Sequence, residues 1–156
     1  MTLQLYTDGS SGHDRSGGWA CIAVMDGKEL WRMSGRDTDT TNNRMELTAI
    51  LRGLARLAKH TGNVTVITDS QYAIQVVTAS DWQANAYRIN ADLIQQCRSL
   101  LRGKRNRRHN RRPRATTEFV WVKGHNGNEW NEAADKLAGR ARTPRNRLPI
   151  HGGTLP

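Results

Sequence analysis

The chain has 156 residues, enough for one domain with a hydrophobic core, and carries a formal net charge of +10 at pH 7. It contains neither a run of 18 apolar residues nor a charged-then-apolar leader, so we expect a cytoplasmic protein with no membrane segment. Cys21 and Cys97 lie in apolar runs and predict buried free thiols, and no CxxC pair suggests zinc.

The first half of the chain predicts a meander of three strands followed by a helix. Strands are expected over 1–8, 17–25 and 28–35, and Asp26-Gly27 is typical of a tight hairpin turn. From Asn42 to Ala58 the apolar residues recur at helical spacing. We expect Asn43 to cap this helix and Gly62-Asn63 to close it.

The second half predicts two strands separated by helices. A strand is expected at 64–68 and another at 118–122, and Ser70 is expected to cap a short helix through Val77. Two longer helices are expected, at about 89–101 and at 129–142. The order is βββ-α-β-α-α-β-α, an α/β fold in one domain over 1–142, followed by a polar tail over 143–156.

The positive charge is concentrated between residues 102 and 114, which read RGKRNRRHNRRPR. This basic run holds eight Lys or Arg and no acid, which leaves only +2 of the net charge for the other residues. A run of like charges is usually a solvated loop. It can equally contact phosphates, and the sequence leaves both interpretations open.

Four acidic residues stand at the ends or margins of predicted elements. Asp8 and Asp69 each follow a Thr at a strand end, so parallel neighbouring strands would place them side by side. Taken singly, Asp8 could start a turn, Glu46 could form a capping box with Asn43, Asp69 could cap a helix, and Asp135 could be solvated. Taken together, they would repel one another, and two divalent ions about 4 Å apart would relieve that repulsion and clamp a phosphodiester.

Four motifs give the chain a close resemblance to a known family. They are YTDGS (6–10), TTNNRMEL (40–47), TDSQY (68–72) and WVKGH (121–125), the last followed ten residues later by Asp135. In these motifs the chain resembles type 1 ribonuclease H, which cuts the RNA strand of an RNA/DNA hybrid. The resemblance implies a ribonuclease H-like fold, with a five-stranded mixed sheet of three antiparallel and then parallel strands flanked by helices.

The resemblance also implies roles for individual residues. Asp8, Glu46, Asp69 and Asp135 match the ligands of two catalytic Mg²⁺ ions, for which Mn²⁺ is a possible substitute. His125 matches an auxiliary group that assists proton transfer or product release. The implied substrate contacts are Ser10, Thr41 (to a DNA-strand phosphate) and the amides of Asn42, Asn43, Gln71 and Asn90, a chemistry suited to 2′-hydroxyls in a minor groove.

The chain departs from the family pattern in three places. His13 stands nearest to a position where the family commonly carries Asn, so a contact there is not carried over. The basic, Trp-rich handle of many bacterial members is reduced to 82–89, with Arg88 its sole basic residue. We hypothesise that the basic run, including Arg105, Arg107 and Arg108, replaces the handle. Trp82 could stack on the DNA backbone or lie in the core.

The resemblance implies an endoribonuclease that acts on RNA/DNA hybrids and leaves 5′-phosphate and 3′-hydroxyl ends, and we expect a monomer with no membrane and no obligate protein partner. Two alternatives remain open. One is a related junction-resolving metal nuclease, which would share the acids but not TTNNRMEL. The other is a non-catalytic module that binds hybrids or duplex RNA, which would gain nothing from acids that face phosphates.

Overall fold

The computed structural model describes residues 2–80, 89–105 and 115–144, with only the backbone for 103–105. The predicted order of elements is confirmed. In chain order they are β1 (Thr2–Ser11), β2 (Gly17–Met25), β3 (Lys28–Asp37), α1 (Asn42–Arg56), β4 (Asn63–Thr68), α2 (Gln71–Thr78), α3 (Ala91–Arg105), β5 (Thr117–Trp121) and α4 (Glu129–Arg142).

The five strands form one mixed sheet in the order β3-β2-β1-β4-β5. The first three strands pair antiparallel, and β4 and β5 add to β1 in parallel. The hairpin between β2 and β3 turns at Asp26 and Gly27, both with positive φ (51° and 73°), as a two-residue turn of this type requires. The predicted α/β class and the predicted strand arrangement are therefore confirmed.

Several predicted boundaries were wrong: α3 runs from Ala91 to Arg105 rather than over about 89–101, β3 continues to Asp37 rather than to 35, and further differences concern β1 and α1. Strand β1 continues past Asp8, because its last residues keep pairing with β2 up to Ser11 opposite Gly17. Helix α1 is capped by Thr41, not Asn43: Thr41 is extended and its side chain accepts the N–H of Arg44 at 3.3 Å. The helix ends at Arg56, well before Gly62-Asn63. By contrast, Ser70 caps α2 as predicted, through the N–H of Ala73 at 3.1 Å.

Apolar side chains fill both faces of the sheet. One face packs against α1, α2 and α3 through residues such as Leu5, Leu54 and Ile94, all fully buried. The other face packs against α4 through a smaller cluster that includes Tyr6 and Ile22. Neighbouring residues of β1 thus point into opposite layers, as strand geometry requires. Burial of each such large side chain stabilises the fold by about 1.5–3 kcal/mol. This packing holds in place the edge of the sheet that carries the site.

Both thiols are buried and unpaired as predicted, and burial raises the pKa of Cys21 and of Cys97 to about 12. Among the described residues, no helix combines the length and the apolar character that crossing a membrane requires.

Candidate active site

The site begins at the carboxyl ends of two neighbouring parallel strands. The register of β1 and β4 pairs Tyr6 with Ile67, so Asp8 and Asp69 follow two residues later on adjacent chains at the same edge. The predicted adjacency of these two acids is confirmed. Asp8 is buried, and one of its oxygens accepts the N–H of Gly9 at 2.8 Å.

Helix α1 brings the third carboxylate to this edge. A Cβ on Gly9 would lie 2.3 Å from the backbone nitrogen of Glu46, so only glycine allows the strand and the first turns of the helix to approach this closely. Glu46 is 6% exposed and points toward the sheet. Because the cap is Thr41, the capping-box position falls on Arg44, and Glu46 plays no part in capping.

Asp8, Glu46 and Asp69 form a compact acidic group. Each offers a carboxylate oxygen, and these oxygens all lie within 4.8 Å of one another. Burial, and then the charge of Asp8, raises the pKa of Glu46 to about 10. Burial is also the main cause that raises the pKa of Asp8 to about 7, with a further contribution from the charge of Asp69. Without a cation, this group holds protons that ordinary carboxylates release.

The chemistry of these donors fits a divalent cation. The Oε2 atom of Glu46 is buried and has no hydrogen-bond partner among the described residues. A buried charged oxygen without a donor is costly, so the metal-free group retains a proton between Glu46 and Asp8, and a coordinated cation would replace that proton. Oxygen ligands are also what Mg²⁺ prefers.

Asp135 lies beside this group rather than within it. It stands on α4, whose predicted bounds are matched residue for residue, and its carboxylate is 41% exposed. Its charge nevertheless acts on Asp69, because after burial it is the largest cause of the raised pKa of that carboxyl. The structure therefore brings three of the four predicted acids into one group and places the fourth at its margin.

His125 lies next to Asp135 at the open side of the site. Its Nδ1 atom is 3.8 Å from Asp135 Oδ2, and its side chain is 82% exposed. The residue has a left-handed backbone (φ 55°), and Gly127 shares that conformation. Gly124 brings the same loop against Asp69, since a Cβ there would lie 2.8 Å from Asp69 Oδ2. The loop therefore places the imidazole of His125 beside the acidic group.

Some of the predicted substrate contacts are hydrogen-bonded within the protein, and others are exposed to solvent. Thr41 caps α1, and Asn42 accepts the N–H of Ser11 at 2.9 Å, which ties the end of β1 to the helix. Asn43 and Gln71 are exposed. Of the remaining predicted contacts, Ser10 is partly buried near the end of β1, Asn90 lies just before α3, and Arg105 is the last residue of α3. The other three, Trp82, Arg107 and Arg108, lie outside the described residues.

Two neighbours of the site were missed by the sequence analysis. Arg44 binds Asp92 and Asn90, 48 and 46 residues away, a pairing that sequence spacing does not reveal. The Nε1–H of Trp121 donates to the backbone oxygen of Asp69 at 3.0 Å. The signal for Trp121 was its place in the WVKGH motif, which drew attention only to His125.

Comparison with known sequences points to one family. The RNase H family model matches residues 1–143. A ribonuclease H from Pseudomonas savastanoi is 39% identical over 151 residues, covering 89% of this chain and 91% of that protein. A ribonuclease H from Neorickettsia sennetsu is 34% identical over 137 residues, covering 86% and 88%.

Solved structures agree at the level of the fold. The N-terminal RNase H domain of a Mycobacterium tuberculosis protein matches with a TM-score of 0.69 and 18% identity, covering 90% of this chain and 93% of that one. RNase H1 from Halobacterium salinarum matches with a TM-score of 0.66 and 21% identity, covering 90% and 97%.

Proposed function

Since the chain belongs to the ribonuclease H family, we propose that it hydrolyses the RNA strand of RNA/DNA hybrids at the acidic group described above. The observation that carries this proposal is the set of three carboxylates within 4.8 Å, one of which has a buried oxygen without a partner. A protein that only bound nucleic acid would have no use for a group of carboxylates at this edge of the sheet.

Asp8, Glu46, Asp69 and Asp135 would hold two Mg²⁺ ions, with Mn²⁺ as a possible substitute. When bound, the ions supply the positive charge that activates the attacking water and stabilises the departing 3′ oxygen, which gives 5′-phosphate and 3′-hydroxyl ends. Asp8 and Glu46 are buried against the packed strand and helix, so their orientation is fixed before substrate arrives. The close approach at Gly9 supports this rigidity.

His125 would move a proton or assist release of the cut product. Its exposure leaves the imidazole accessible to water and to a bound strand, and its Nδ1 faces the carboxylate of Asp135.

Amides from three parts of the chain would grip the hybrid. Asn43 in the first turn of α1 and Gln71 at the start of α2 are open to solvent, and Asn90 is linked to α1 through Arg44. Amides can bond to 2′-hydroxyls and to base edges without reading the sequence, which suits a nuclease of broad specificity. Thr41 would contact a DNA-strand phosphate, and the basic run would add long-range attraction for the backbone.

The test is cleavage of a labelled RNA/DNA hybrid in Mg²⁺, in Mn²⁺ and in chelator. We expect cleavage of the RNA strand with either metal, none with chelator, and none of duplex DNA. Asp69→Asn should abolish cleavage while retaining hybrid binding, whereas Asp26→Asn, the same change in the distant hairpin, should leave the rate unaltered. An active Asp69→Asn enzyme would refute the assignment. Cleavage of four-way junctions but not hybrids would instead identify a junction-resolving nuclease, and binding without cleavage would identify a binding module.

A further inference from the structure

Arg44 joins the first turn of α1 to the residues that begin α3. Its guanidinium donates to both oxygens of Asp92, at 3.0 and 2.9 Å, in a bidentate pair. The same Nη1 atom lies 3.3 Å from Oδ1 of Asn90. The side chains of Arg44 and Asp92 are 34% and 57% exposed, so solvent screens their charges, while the bidentate geometry is the kind that still contributes to stability. A structural role and a role in holding Asn90 therefore both have to be tested.

Asn90 is held in one orientation by its neighbours. Arg44 can only donate, so the oxygen of the amide must face it, and the Nδ2 of Asn90 then donates to the hydroxyl of Tyr72 at 3.1 Å. The backbone of Asn90 is left-handed (φ 69°), and its carbonyl accepts the N–H of Ile94 at 3.0 Å to open α3. Each end of the amide keeps capacity for one more hydrogen bond.

The network also fixes the position of the Asn90 amide relative to the acidic group. Arg44 lies two residues before Glu46 on the same helix, so the amide of Asn90 and the acidic group are tied to one rigid element. A ligand bonded to Asn90 is thereby held in register with the carboxylates. A hydrogen bond that the hybrid makes equally in the bound state and in the transition state contributes to binding, so its loss raises KM and leaves kcat little changed.

We infer that Arg44, locked by Asp92, is a positioning residue that orients the Asn90 amide toward the groove of the bound hybrid. The inference rests on the proposed function, because it assigns Asn90 to the hybrid. Two other roles for Arg44 give different results: a purely structural ion pair, and a direct contact with a substrate phosphate.

The decisive variant is Arg44→Lys, which keeps the positive charge but loses the planar fork that binds Asp92 and Asn90 together. It should raise KM for the hybrid by roughly 2- to 10-fold, the range expected for a lost hydrogen bond, with kcat little changed. Asp92→Asn should act in the same direction. Arg52→Lys, the same change two turns along α1 where the guanidinium lies 5.9 Å from the Trp19 ring centroid, serves as the matched control and should leave KM unaltered.

A double variant separates positioning from direct contact. Asn90→Gly removes the amide and accepts the left-handed backbone without strain. In that background Arg44→Lys should have no further effect on KM. If it raises KM by the same factor as in the parent, Arg44 touches the hybrid itself and the inference is wrong. If KM is unchanged in every variant while the melting temperature falls, the pair is only structural and the inference is equally wrong.

A measurement without substrate keeps this test independent of the proposed function. In ¹⁵N spectra of the free protein, the side-chain NH₂ of Asn90 should give one sharp, dispersed pair of signals that broadens or shifts in Arg44→Lys but not in Arg52→Lys. An unaltered signal overturns the positioning role. Failure of the parent to cut any hybrid would overturn the proposed function, while the spectra would still report whether Arg44 holds the amide.

Discussion

The acidic group should make the metal-free protein lose stability as pH rises from about 4 to about 7. The folded state raises the pKa of Asp8 from its ordinary 3.8 to about 7, so between these values the native protein binds a proton that the unfolded chain releases. Stability from such a group is fully present below pH 4 and is lost as pH rises through 7. The rise in pKa corresponds to a loss on the order of 4 kcal/mol.

The assay is urea unfolding in chelator at a series of pH values between 4 and 8, for the parent and for Asp8→Asn. The amide does not titrate, so the difference in unfolding free energy between the two proteins reports the Asp8 carboxyl together with its effect on the pKa of Glu46. Carboxyls such as Asp92, whose pKa the Arg44 pair lowers, act in the opposite direction at lower pH and cancel in this difference. Asp26→Asn is the matched control and should follow the parent across the range.

Saturating Mg²⁺ should reverse the loss, because ions that bind only the native carboxylates stabilise the fold by mass action. The stabilisation should be larger at pH 8 than at pH 5, where protons compete for the same oxygens. The reasoning is refuted if chelated parent and Asp8→Asn keep a constant difference from pH 4 to 8. It is also refuted if Mg²⁺ stabilises Asp26→Asn and Asp8→Asn equally.

Four further predictions concern the fold and the proposed activity. Gly9→Ala should destabilise the fold by roughly 1–3 kcal/mol or more in urea unfolding, because the new Cβ would collide with the α1 backbone. Gly139→Ala, whose Cβ meets nothing within 4 Å, should instead stabilise by about 0.5–1 kcal/mol. His125→Ala should lower kcat by about 10²-fold in steady-state assays while hybrid affinity is retained; an unchanged kcat would remove the proton role. Changing Arg105, Arg107 and Arg108 together to Gln should raise KM and flatten its salt dependence while Mg²⁺ binding is spared; unchanged hybrid affinity would contradict the proposed contact.

The pairing of Asp8 with Asp69 was predictable because it depends only on local pattern. Two β-branched or apolar runs each lead into Thr-Asp, and parallel neighbours in register bring these equivalent positions together, although β1 itself continues to Ser11. The helix cap was not predictable in the same way. Residues 40–43 read TTNN, and every one of them is a competent cap, so propensity alone could not decide that Thr41 takes the role.

The contacts that sequence reasoning missed are those that join distant parts of the chain. Nothing in the sequence around Arg44 indicates its partners, which stand 46 and 48 residues away. Only the packing of α3 against α1 brings them together. The marginal position of Asp135 has the same origin, because its distance from the other acids depends on how α4 lies on the sheet.

The free energy needed to bury the acidic group explains why it lies on a well-packed strand and helix. Burying Asp8 and Glu46 opposes folding at neutral pH, as their raised pKa values show. The sequence offsets this with strands and helices whose large side chains, such as Leu5 and Ile50, are fully buried next to the site. A loop could not hold two mutually repelling carboxylates this close, since it would relax to separate them. The packed strand and helix prevent that relaxation, so the carboxylates stay close together and a bound cation would relieve their repulsion.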